Sequence, residues 1–152
     1  MPKLTTTGPS EVKSFTLTNG EKKRLMEVLK NELSREDGIV LAFLYGSFLE
    51  ERAFRDIDIG IFIKEGKPLS PTYELDLENR LSKALNVTFP IEIRVVNKAP
   101  ITFLYHVITG KLLVCKDEEA FTDLVTTVAR KYQDLQPILS HYTKEAYGET
   151  DK

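Results

Sequence analysis

Leu25, Leu29 and Leu33 recur at helical spacing behind Thr18-x-x-Glu21, with Met26 beside them. That pattern predicts a helix opening on a capping box and ending at Asp37-Gly38. Ile39 to Tyr45 is a nearly continuous apolar run, as in a strand buried on both faces. Gly46-Ser47 breaks the run, and Phe48 to Phe54 fits a short helix or loop. From Asp56 to Ile63 the chain alternates: Ile57, Ile59, Ile61 and Ile63 on one face, Asp56, Asp58, Gly60 and Phe62 on the other. Ser70-Pro71 reads as a helix start, serine at the cap and proline at the first helical position, with Tyr73, Leu77, Leu81 and Leu85 behind it. Pro90 opens a third strand, with Ile91, Ile93 and Val95 opposed to Glu92, Arg94 and Val96. Residues 97–109 read as a helix closed by Gly110, residues 111–115 as a fourth strand, and residues 118–147 as helical with a kink at Pro137. Residues 1–17 have no clear period and read as a loose lead-in. Residues 18–152 read as one domain with a C-terminal helical segment. The expected class is α+β, a small mixed β-sheet flanked by helices.

Composition narrows the setting. The chain has 152 residues, 41% hydrophobic and 29% charged, which suits a single globular domain able to bury a core. A net charge of −2 argues against stable nucleic-acid binding, although one local cluster is enough for a nucleotide. Cys115 is the only cysteine, so an internal disulfide is excluded and a reducing compartment is expected. Nothing approaches a membrane span, and Met1 to Asn19 lacks the apolar core of a signal peptide, so the expected location is cytoplasmic.

The candidate chemistry lies in Gly46 to Asp58. Asp56 and Asp58 stand two apart on an expected strand, so both project from one face with α-carbons ~6.7 Å apart. Carboxylates so placed converge on the divalent metal pair of phosphoryl-transfer sites, and hard oxygen donors favour magnesium. Glu92, on the polar face of the next strand, is the expected third ligand. Three acids repel one another unless magnesium or nearby cations compensate. Gly46 permits close backbone approach, and the amides and hydroxyl of a helix opening at Ser47 can hold phosphate. Arg52 and Arg55 lie between the two halves of the motif, and either can neutralise phosphate charge. Arg55 joins Gly46 and Ser47 in the expected nucleotide-binding set. Alone, an Asp-x-Asp is common on solvated strands and Gly-Ser marks any loop; the joint order is far more specific.

These residues resemble the nucleotidyltransferase superfamily that includes DNA polymerase beta. The signature there is Gly-Ser, a spacer, acid-x-acid, and a third acid on a later strand. Over residues 20–147 the chain is similar to the minimal nucleotidyltransferases, the MntA-type antitoxins, through Ile-Val-Leu-Ala-Phe-Leu-Tyr-Gly-Ser and Asp-Ile-Asp-Ile-Gly-Ile-Phe. The resemblance implies a polymerase-beta-like fold, with two Mg2+ ions on Asp56, Asp58 and Glu92 and the triphosphate at Gly46 and Ser47. It also implies transfer of AMP from ATP to a tyrosine hydroxyl of a HEPN-domain toxin. Three features depart from the pattern: a spacer of eight residues between Ser47 and Asp56, Arg55 where serine often precedes the first acid, and glutamate as the third acid.

Two rival functions fit part of the pattern. One is an antitoxin that acts by binding alone, against which the intact triad argues. The other is adenylylation of a small molecule or of a different protein. Tyr132, Leu135, Leu139, Tyr142 and Tyr147 read as core packing, with an interface as the alternative. His106 reads as a packed or surface histidine, Cys115 as buried, and Arg94 as equally suited to pair with Glu92 or to reach phosphate.

Overall fold

The computed structural model describes the backbone of residues 3–7, 12–50, 52–132, 137–138 and 140–142, and side chains from residue 14 onward. Helix α1 (Asn19–Ser34) begins as the spacing predicts. Thr18 accepts from the Glu21 amide, and the Glu21 carboxylate accepts from the Thr18 amide. After it come β3 (Ile39–Tyr45), α2 (Ser47–Glu50), β4 (Ala53–Phe54), β5 (Ile57–Ile63), α3 (Tyr73–Leu85), β6 (Ile91–Val95), α4 (Ile101–Ile108), β7 (Lys111–Cys115) and α5 (Glu118–Tyr132).

The lead-in is not loose. Lys3–Thr7 (β1) and Val12–Thr16 (β2) pair antiparallel, and β2 goes on to pair with β4. Threonine, valine and phenylalanine favour an extended strand, and the ladder with β4 satisfies backbone groups that a coil would leave to water. Helix α3 also starts later than expected. Ser70 and Pro71 form a turn in which the Tyr73 amide donates to the Ser70 carbonyl, and Thr72 takes the cap position.

The main sheet runs β6-β5-β3-β7. β3 is antiparallel to both β5 and β7, while β5 and β6 are parallel. The sheet is therefore mixed, as expected for this class. Both faces are covered. Ile57, Ile59, Ile61 and Ile63 pack with Leu29 and Leu33 of α1 and Leu77 and Leu81 of α3. Leu41, Phe43 and Tyr45 pack on the opposite face with Val107 of α4 and Val125 and Val128 of α5. A register irregularity between Ile39 and Leu41 places Ile39 and Ala42 on the same face despite their odd spacing. The edge strand β6 is shielded by α3: the amides of Ile93 and Val95 donate to Glu78 and Glu74 at 2.9 and 2.7 Å.

Downstream, Tyr132 stacks on Tyr105 with centroids 4.3 Å apart, and Tyr142 packs edge-on against Phe121 while its hydroxyl donates to the Ile108 carbonyl. Tyr142 is half-buried and packs against the core, and Tyr132 is half-buried outside it; Leu135, Leu139 and Tyr147 lie outside the described residues. Pro137 is helical, but residues 133–136, which would show the kink, are likewise outside them. Among the described residues, no helix is long and apolar enough to cross a membrane.

Candidate active site

Sheet register assembles the acids. Tyr45 on β3 is paired with Asp58 on β5, and Asp58 is paired with Glu92 on β6. The three side chains therefore form one row across three strands, on the same face. Asp56 lies just ahead of β5 rather than within it. Its carboxylate still joins the others: oxygens of Asp56, Asp58 and Glu92 all lie within 4.8 Å of one another, and each residue is half-buried.

The row opens into a cleft of about 400 Å³. Gly46, Ser47 and Arg55 line it with the three acids, and so do Tyr45, Glu50, Arg94, Phe103 and His106. Arg52 does not. A larger groove of about 760 Å³ runs along α1, but its lining contains neither the acids nor the glycine-serine turn.

Glycine at position 46 is required twice over. Its φ of +88° belongs to the left-handed region, and a β-carbon there would stand 2.6 Å from Asp58 Oδ2. The turn is thus pressed directly against the central carboxylate. The amides of Leu49 and Glu50 fold back onto the Gly46 carbonyl at 3.1 and 3.3 Å, and Ser47 Oγ accepts from the Arg55 amide at 3.4 Å. From outside, Lys22 Nζ donates to the Phe48 carbonyl at 2.7 Å and sits over the rings of Phe48 and Phe54. Beneath α2, Phe48, Phe54 and Phe89 form an edge-on aromatic stack.

Charge is concentrated at the centre. Burial, then the negative charge of Asp56, then the hydrogen bond with Glu92 push Asp58 up to about 7. Burial, and then the charge of Asp58, push the Tyr45 hydroxyl up to about 12. Arg94 pairs with Glu92 at 3.0 Å and also lines the cleft. An acid pushed up by burial and by neighbouring acids marks a site short of positive charge. Three convergent carboxylates with no buried cation among the described residues suit a hard divalent ion.

The sequence-based set Gly46, Ser47, Arg55, Asp56, Asp58 and Glu92 is thus brought together in one cleft. Tyr45, Glu50 and Phe103 were missed, and His106 stands at the cleft rather than on an unrelated surface. A signal existed for two of these. Phe103 and His106 are one turn apart on the helix that follows the Glu92 strand, and so share a face.

A family model described as polymerase beta nucleotidyltransferase matches residues 27–119, a span that contains the turn, both aspartates and Glu92. The chain belongs to the polymerase beta nucleotidyltransferase family. No curated protein matches this nucleotidyltransferase. Solved structures do. An MNT antitoxin complex with tri-AMPylated HEPN toxin of Shewanella oneidensis matches with a TM-score of 0.52 and 18% identity, over 86% of this chain and 98% of that one. A toxin-antitoxin structure with AMP-PNP matches with a TM-score of 0.54 and 19% identity, over 82% and 97%. The MntA-HepT toxin-antitoxin matches with a TM-score of 0.51 and 17% identity, over 85% and 98%. At these identities, what the nucleotidyltransferase shares with them is the fold.

Proposed function

We propose that the protein is a magnesium-dependent adenylyltransferase that moves AMP from ATP onto a tyrosine hydroxyl of a HEPN-type toxin, and that it serves as the antitoxin of the pair. The observation that carries this reading is the meeting of Asp56, Asp58 and Glu92 within 4.8 Å beside the Gly46-Ser47 turn. The tri-AMPylated toxin in one similar structure and the AMP-PNP in another support AMP as the transferred group and ATP as its donor.

Asp56, Asp58 and Glu92 would hold two magnesium ions. Bound there, the metal supplies charge neutralisation at the phosphates and acidifies the attacking hydroxyl. Gly46, Ser47 and Arg55 hold the triphosphate. In the reaction the acceptor oxygen bonds to the α-phosphorus, the bond from that phosphorus to the bridging oxygen breaks, and pyrophosphate leaves. Glu92, on the strand farthest from the phosphate turn, positions the acceptor hydroxyl and takes its proton. Tyr45 is neutral at pH 7, as a phenol ordinarily is, and burial pushes it further up to about 12, so it lends no further negative charge to the cleft.

The test is incubation of the chain with α-labelled ATP, magnesium and the HEPN-type protein encoded beside it. Label is expected on that protein, and Asp58→Asn should lower its incorporation by ~100-fold or more while leaving the fold intact. Tight binding without label would overturn the reading in favour of inhibition by binding. Label on a small molecule instead would reassign the acceptor.

A further inference from the structure

The larger groove, of about 760 Å³, lies along α1 and away from the acids. Asn19, Lys22, Lys23, Met26, Glu27 and Lys30 form its α1 wall, one helical face that extends ~16 Å, or about three turns. Across from them stand Lys111, Leu112 and Leu113 of β7, with Phe121 of α5. Four lysines and one glutamate therefore rim the groove, in a chain whose net charge is −2. Lys23 and Lys30 are exposed and make no ion pair among the described residues. The floor is apolar. Met26, Leu112 and Phe121 are half-buried, and Leu49 is one of two large hydrophobic residues exposed among the described residues.

Shape and charge together select an occupant. β7 is an edge of the main sheet, but its register against β3 passes over Leu113, and a bulge on an edge strand discourages strand addition. A helix laid in the groove needs only apolar side chains at i, i+3, i+4 and i+7 to cover the floor. Its flanks then meet the lysines, so acidic residues fit there. Nucleic acid would find the lysines but no stacking platform, because Phe121 already packs on Phe43 and Tyr142. The partition between groove and cleft is α2: Phe48 and Leu49 line the groove, Ser47 and Glu50 the cleft. An occupant thus lies against the nucleotide turn without entering the cleft.

We propose that this groove docks an acidic amphipathic helix of the protein that receives AMP, and so holds that acceptor beside the cleft across α2. The owner of the helix rests on the adenylyltransferase reading; the preference of the groove for an acidic helix does not.

Fluorescence anisotropy on the full chain tests it with three labelled peptides of about four helical turns. One carries leucine at i, i+3, i+4 and i+7 with glutamate elsewhere, one scrambles the same residues, and one replaces each glutamate by lysine. The acidic amphipathic peptide should bind at least ~10-fold tighter than either control, more weakly as salt rises, and equally with and without magnesium and AMP-PNP. Lys23→Glu with Lys30→Glu, and separately Leu49→Ser, should each weaken it by ~5-fold or more at unchanged Tm. No binding, equal binding of the three peptides, insensitivity to both variants, or displacement by AMP-PNP would overturn the docking site. So would displacement of the peptide by an RNA oligonucleotide, which would give the lysines to nucleic acid. The HEPN-type protein encoded beside the chain should compete with the peptide, and its binding without competition would overturn the acceptor's use of the groove. Failure of that protein to bind at all would instead count against the proposed function, and the peptides would still decide what the groove takes.

Discussion

At the scale of single residues, the site rests on three carboxyl groups and one missing side chain. Gly46→Ala places a β-carbon against Asp58 Oδ2 and holds a non-glycine residue in the left-handed region. It should cost about 1–3 kcal/mol of stability and abolish transfer, checked by denaturant unfolding and by label incorporation. Asp58 carries a pH signature. Its folded value of about 7 lies above its ordinary 3.8, so the native state holds a proton that the unfolded chain releases. The resulting contribution to stability is full below pH ~4 and is lost as pH rises through 7. In chelator, the stability difference between wild type and Asp58→Asn should therefore shift against wild type from pH 4 to 7. Magnesium should flatten that slope, because a cation displaces the proton, and its affinity should rise over the same window. A difference that stays constant with pH would mean that Asp58 is an ordinary carboxylate.

At the scale of elements, a four-residue helix has little stability of its own and takes its position from neighbours. Three supports hold α2: the Gly46 carbonyl, the aromatic stack beneath it, and the Lys22 ammonium on the Phe48 carbonyl. Lys22→Met keeps the apolar stem and removes the charged donor. It should raise KM for ATP by ~3–10-fold with a smaller change in kcat, because α2 carries Ser47. Steady-state kinetics with the partner protein would show the split. A loss confined to kcat would disconnect Lys22 from nucleotide binding.

For the whole molecule, the sheet separates two cores while its row of acids opens to solvent. A ligand that joins the acids to the turn bridges β3, β5 and β6 together, so its binding should be felt as global stability. Magnesium with AMP-PNP at about 100 times Kd should add about 2.7 kcal/mol and raise Tm by about 5–10 °C. Chelation, or Asp58→Asn, should remove the gain. AMP-PNP that stabilises equally without metal would place the nucleotide elsewhere.

Local chemistry determined much of this protein directly. Helical spacing and the Thr18 capping box announced α1. The isoleucine alternation announced β5. The order of Gly46, Ser47, Asp56 and Asp58 announced the turn and its two carboxylates, because each of these signals is written in neighbouring residues and needs no knowledge of distant chain. Other features waited for the fold. The apolar run of β3 does not reveal its bulge, since both faces are buried and either register looks apolar. The N-terminal segment is polar enough to read as coil until β4 gives it a partner. Only the parallel pairing of β5 with β6 sets Glu92 opposite Asp58, and only the packing of α4 over Tyr45 carries Phe103 and His106 to the cleft. Residue type and spacing are properties of a segment, but the charge felt by Asp58 and the aromatic wall beside it come from segments that meet solely in the folded chain.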